Sequence, residues 1–143
     1  MTTDNLFLGG SVAFLLVVLF ILFLYNPRKL KQSYFVERWK KIQSYCRDKK
    51  TWPKALEEAD KLLRLALKKK RVKGKSMGEK MVSAQRLFTD NDSLWYAHNL
   101  YKKVTSNPAT KKKLKESDVK DALIGFRQAL RDLEALPHDG HKA

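Results

Sequence analysis

Few residues in this chain could do bond-making chemistry, and one type of side chain is in large excess. Three of the 143 residues are His (His98, His138 and His141), and one is Cys (Cys46). Two of the histidines lie in the C-terminal tail, so a multi-His metal centre has too few ligands. No Cys cluster could hold a structural zinc. We therefore expect no metal, no cofactor and no small-molecule substrate. A lone thiol excludes an internal disulfide framework and suits a reducing compartment. The excess is cationic: 30 Lys and Arg against 15 Asp and Glu, a net charge of +15. Such a balance points to anionic partners, namely nucleic acid, acidic lipid headgroups or an acidic protein.

The cations come in three groups. Arg28, Lys29, Lys31, Arg38, Lys40 and Lys41 form the first, Lys68, Lys69, Lys70, Arg71, Lys73 and Lys75 the second, and Lys111, Lys112, Lys113 and Lys115 the third. Any one of them reads plainly as a solvated helix end, where Lys also complements the helix dipole. Three runs with few acids among them favour binding to an anionic surface. The first group would rest on anionic headgroups, at about 1 kcal/mol per basic residue near the surface. The later two would attract phosphates through counterion release, giving weak, non-specific RNA binding. Lys outnumbers Arg within them, which favours diffuse attraction over bidentate readout.

The elements that carry these groups begin with an apolar stretch. Residues 6–25 contain no charged side chain, and 20 residues at about 1.5 Å each match the hydrocarbon core of a bilayer. A cleaved signal peptide is the competing reading. It would want a basic leading region, a shorter apolar stretch and a small-residue cleavage site, whereas here only Asp4 is charged before the stretch and Asn26-Pro27-Arg28 follows it. A buried core helix is the other alternative. We expect an uncleaved single-pass anchor over 1–26. Arg28, Lys29 and Lys31 follow the span and no Lys or Arg precedes it, so the N-terminus should lie outside and residues 27–143 in the cytoplasm. That part carries thirty basic against fourteen acidic side chains, a net of +16.

Beyond the span the hydrophobic spacing is helical throughout. Leu30, Phe35, Trp39 and Ile42, with Tyr45 or Cys46, predict a basic amphipathic juxtamembrane helix within 27–50. Thr51 is a candidate N-cap with Pro53 in the first turn, and Leu56, Ala59, Leu62, Leu63, Ala66 and Leu67 predict a helix over 52–70. Gly74 and Gly78 should bracket a loop. A short helix over 78–87 should bury Met81 and Ala84, with Leu87 and Phe88 as further candidates. Asp90-Asn91-Asp92 should cap a helix over 93–104, whose inner side draws on Leu94, Trp95, Ala97, His98 and Tyr101. Asn107-Pro108 should break it. Ser117-Asp118 should cap a last helix, with Val119, Ala122, Leu123, Phe126, Leu130 and Leu133 on its inner face. The spacing of Trp39, Trp52, Trp95 and Phe126 assigns them to the core. The fold class is all-α: a transmembrane helix, then a four- or five-helix bundle over 51–136 and a flexible tail over 137–143.

The segment from Trp52 to Leu133 resembles small bacterial helical domains related to the HEPN superfamily. The matching residues are Ala59-Asp60-Lys61-Leu62-Leu63, Ser76-Met77-Gly78-Glu79, Leu94-Trp95-Tyr96-Ala97-His98 and the closing amphipathic helix. The resemblance implies a helical bundle that commonly dimerises and, in many members, a metal-independent ribonuclease with an Arg-polar-x3-His motif. Here Tyr101 stands where Arg would be, Lys102 where the polar residue would be and Ser106 where His would be. Such a nuclease needs an imidazole for proton transfer and a guanidinium to stabilise phosphorane charge; Ser106 and Tyr101 supply neither. His98 is expected to be structural, with Asp60 in a polar pair with it or with a helix neighbour.

Together these readings predict a non-catalytic, single-pass protein of the bacterial inner membrane. Its cytoplasmic helical module would bind or scaffold another protein or a second copy of itself beside anionic lipid. A membrane-tethered RNA-binding protein and a divergent ribonuclease are the alternatives.

Overall fold

Leu56, Ala59, Leu62, Leu63, Ala66 and Leu67 recur at three- and four-residue spacing and form a single buried face. They lie on α3 (Trp52–Lys69), the centre of the computed structural model, which describes residues 2–25 and 29–138, with side chains over 8–24 and 29–138. Around it stand α2 (Gln32–Tyr45), α5 (Asn91–Ser106) and α7 (Glu116–Asp132), with α1 (Thr2–Tyr25) preceding them. Two short helices, α4 (Met77–Ser83) and α6 (Pro108–Lys112), lie in the connections, as does a 3-10 turn at Lys49–Thr51. The described residues are all-α, without a strand.

The four long helices of the bundle, α2, α3, α5 and α7, alternate in direction. Lys69, at the end of α3, lies over the ring of Tyr34 in the first turn of α2, so the two run antiparallel. Asp60 meets His98, and Pro53 and Glu57 share a groove with Val104 and Thr105, so α5 runs against α3 as well. Trp52 shares a second groove with Glu116, while Gln32 Nε2 donates to the carbonyl of Glu134, so α7 runs with α3. The bundle has a near end, where the chain arrives from α1, and a far end formed by residues 45–54 and 104–116.

One core joins the four. Phe35, Trp39 and Ile42 of α2 are buried with Leu63 and Leu67 of α3, Leu94 and Ala97 of α5, and Phe126 and Leu130 of α7. Trp52 and Trp95 are half-buried against this core and not inside it. At Gly125 α7 packs tightly against α5: a Cβ there would lie 2.6 Å from the Ser93 carbonyl oxygen. The last turns of α3 and α7 close alike. Arg71 and Glu134 take left-handed φ values of 58° and 62°. Val72 N–H then reaches back to the Leu67 carbonyl, and Ala135 N–H to that of Leu130. The second reversal returns Ala135 and Leu136 to the core.

Several local expectations change. Thr51 does not cap α3; its hydroxyl donates to the carbonyls of Tyr45 and Asp48, and Asp48 instead caps the 3-10 turn by accepting from Lys50 N–H. Gly78 lies inside α4, which starts one residue earlier because Ser76 and Glu79 form a reciprocal capping box. Leu87 is exposed, and Phe88 takes the buried place. The expected cap at 90–92 holds, with Asp90 accepting from the backbone N–H and hydroxyl of Ser93, but α5 starts at Asn91, two residues earlier than expected. Asn107-Pro108 ends α5 and also starts α6, because Asn107 Oδ1 accepts from Ala109 N–H and Pro108 needs no donor at a first helical position. At α7 the cap comes from Asp118, whose carboxylate reaches back to Lys115 N–H.

Among the described residues no helix is long and apolar enough to cross a membrane. The described side chains of α1 run over 8–24, so the expected 6–25 span extends past them at both ends. All of those described except the half-buried Val18 are exposed, Leu8 and Phe14 at 65% and 69%.

Candidate functional site

The most buried polar cluster is built on facing positions of α3 and α5. Asp60 is fully buried and His98 is 5% exposed. Asp60 Oδ1 lies 2.8 Å from His98 Nδ1, and Arg64 Nη2 donates to Asp60 Oδ2 across one helical turn at 3.1 Å. Trp95 meets the imidazole edge-on at 6.2 Å between centroids, and Tyr101 covers it at 6.4 Å. The carboxylate thus accepts from both neighbours, and the ring is held by packing on either side. This geometry fastens α3 to α5.

The three motif positions do not converge on that pair. Tyr101 is half-buried beside His98, whereas Lys102 and Ser106 are exposed further along α5. The Ser106 hydroxyl donates to the backbone carbonyl of Lys102 at 2.7 Å, which folds it onto its own helix. Cys46 is no better as a nucleophile: burial pushes its thiol up from the usual range, which disfavours the thiolate. Among the described residues no group of His, Cys, Asp and Glu could hold a metal ion. His141 lies outside those residues, and His138 is exposed.

The basic groups divide between the two ends of the bundle. Lys29 and Lys31 stand exposed at the near end; Arg28 lies outside the described residues. Lys68, Lys69, Arg71, Lys73 and Lys75 are exposed at that same end, and Lys70 is half-buried there. Tyr34 joins the two sets, with the Arg38 guanidinium 5.2 Å and the Lys69 ammonium 5.3 Å from its ring centroid. The 68–75 run, remote from the span in sequence, is therefore beside residues 29–34 in space.

Lys111, Lys112 and Lys113 lie at the far end, all exposed. The fold brings Lys49, Lys50 and Lys54 to them from the other end of α3. Two grooves open there. Lys50, Lys54 and Lys111 border the first, over a floor of Pro53, Val104 and Pro108. Lys49, Lys112, Lys113 and Lys115 border the second, over Trp52 and Leu114. This assembly is invisible in the linear pattern, because Lys49 and Lys50 are a lone pair in sequence until the helices are placed.

No family model, no curated protein and no solved structure matches this chain.

Proposed function

We propose that this chain is a membrane-anchored helical module that binds and does not catalyse. Residues 6–25 hold it in the plasma membrane, with the N-terminus outside and residues 27–143 in the cytoplasm. The observation that carries the reading is α1, a 24-residue helix with Leu15, Leu16, Phe20 and Phe23 all more than half exposed. Continuous apolar surface of this kind is unfavourable in water and favourable in hydrocarbon. The uncharged stretch 6–25, which runs past the described side chains of α1 at both ends, is at about 1.5 Å per residue as long as a bilayer core is thick.

The near end of the bundle supports the same reading. Six residues separate Tyr25 at the end of α1 from Gln32 at the start of α2, and extended chain covers at most about 3.5 Å per residue step. Lys29 and Lys31 are thus tethered within about 25 Å of the anchor, and Lys69 of the 68–75 run lies over Tyr34 in the first turn of α2, which favours contact of this end with anionic headgroups. The absence of catalysis is supported by the chemistry at Tyr101, Lys102 and Ser106, which offers neither imidazole nor guanidinium, and by the engagement of His98 with Asp60. Another protein or a second copy of the chain would be what the module scaffolds.

Two measurements on the full chain test this. The protein should remain with membranes through an alkaline carbonate wash, and the detergent-solubilised chain should leave RNA intact. Release by carbonate would remove the anchor. RNA cleavage that copurifies with the protein and vanishes in a folded His98→Asn variant would establish an enzyme.

A further inference from the structure

The far end of the bundle carries a strong positive field that the membrane cannot neutralise. Helices of 14 to 18 residues at about 1.5 Å per residue separate the two ends by roughly 25 Å. Charges more than about 8 to 10 Å apart in physiological salt are largely screened from each other. With the near end on the headgroups, the lysines at the far end therefore lie beyond the leaflet's reach and face the cytoplasm. This step rests on the anchored reading above; the composition of the far end itself does not.

That composition is specific. Among the described residues Lys49, Lys50, Lys111, Lys112, Lys113 and Lys115 make no ion pair. The acids at this end are mostly engaged. Lys61 holds the Glu57 carboxyl below its usual range through a hydrogen bond, Glu58 pairs with Lys54, and the Asp48 carboxylate accepts from Lys50 N–H. Glu116 borders the second groove. Lys49 and Lys50 divide between the two grooves, and so do Lys111 and Lys112, so the grooves adjoin. Both have apolar floors, and the second is stiffened because Trp52 Nε1 donates to the Cys46 carbonyl at 2.9 Å.

We propose that these adjoining grooves dock an extended acidic segment of a cytoplasmic protein, with apolar side chains seated on Pro53, Val104 and Pro108 and on Trp52 and Leu114, and carboxylates between the lysines. Apolar anchors in pockets with a charged rim are the usual division of labour at a protein interface. Charge complementarity selects the acidic partner and speeds its encounter. Single-stranded RNA fits less well. Its non-specific binders stack successive bases on several aromatic rings, whereas one ring borders these grooves, and no arginine does.

The test uses the full chain in nanodiscs of zwitterionic lipid, so that no lipid charge competes. The probe is a short fluorescent peptide alternating Glu with Leu, set against poly-glutamate and polyuridine of equal length. The peptide should bind saturably, and at least about tenfold more tightly than poly-glutamate, because only it fills the apolar floors. Joint Lys112→Glu and Lys113→Glu substitution should weaken it by about tenfold or more, while Lys69→Glu with Lys70→Glu at the near end should change it by less than about twofold. Tighter binding of polyuridine, equal binding of poly-glutamate, or equal sensitivity to the two charge reversals would each overturn the proposal. Failure of the chain to enter nanodiscs would count against the anchor alone, and the same titration would then be run in detergent.

Discussion

At the residue scale the decisive side chain is Asp60. It is fully buried and meets an imidazole and a guanidinium, of which only the arginine lies near solvent. Removing one member of a buried charged pair strands the other, and the cost is about 3 kcal/mol or more. Asp60→Ala should therefore lower the thermal midpoint of the bundle sharply, and Asp60→Asn, which can still accept from His98, should lower it less. Equal melts for Asp60→Ala and the parent would show that the pair does not fasten α3 to α5. Sequence reasoning reaches this pair only part of the way. Asp60 on an otherwise apolar face signals a partner, and His98 is one of two alternatives it leaves open. The structure closes the choice by using both: His98 on one oxygen and Arg64, a helix neighbour, on the other.

At the element scale the bundle is held by apolar faces that are readable in sequence and by one close approach that is not. The faces over 56–67 and 119–133 keep three- and four-residue spacing across whole helices, and every one of their named apolar residues is buried. Gly125 has no such signature. A glycine inside a helix costs about 1 kcal/mol relative to alanine, and nothing in the linear pattern says what compensates. The compensation is the close approach of the Ser93 carbonyl, whose oxygen lies 2.6 Å from where a Cβ would stand. Gly125→Ala should thus destabilise the protein by about 2 kcal/mol or more despite its better helix propensity, because backbone must move to admit the methyl group. A higher melting temperature for Gly125→Ala would mean that α5 and α7 are not packed so closely. The short helix α6 is harder to read for another reason. Asn107-Pro108 signals an end and a beginning equally well, and the direction of the chain afterwards decides which is seen.

At the scale of the whole molecule the organising feature is the alternation of helices, which sorts the cations into two ends. Each run is plain in the sequence, but their grouping depends on tertiary structure: α3 carries 68–75 back to the start of α2, while α5 and α6 carry 111–115 out to meet Lys49 and Lys50. The two ends can then serve different anions, with lipid at one and an acidic protein segment at the other, provided that the chain is anchored with its bundle in the cytoplasm. Protease protection of the full chain in membrane vesicles tests that central claim most directly. In inside-out vesicles, where the cytoplasmic face is exposed, protease should remove residues beyond the anchor; in right-side-out vesicles the same residues should survive until detergent is added. Digestion of the bundle in intact right-side-out vesicles, or recovery of the protein in the soluble fraction before any protease is added, would contradict the account.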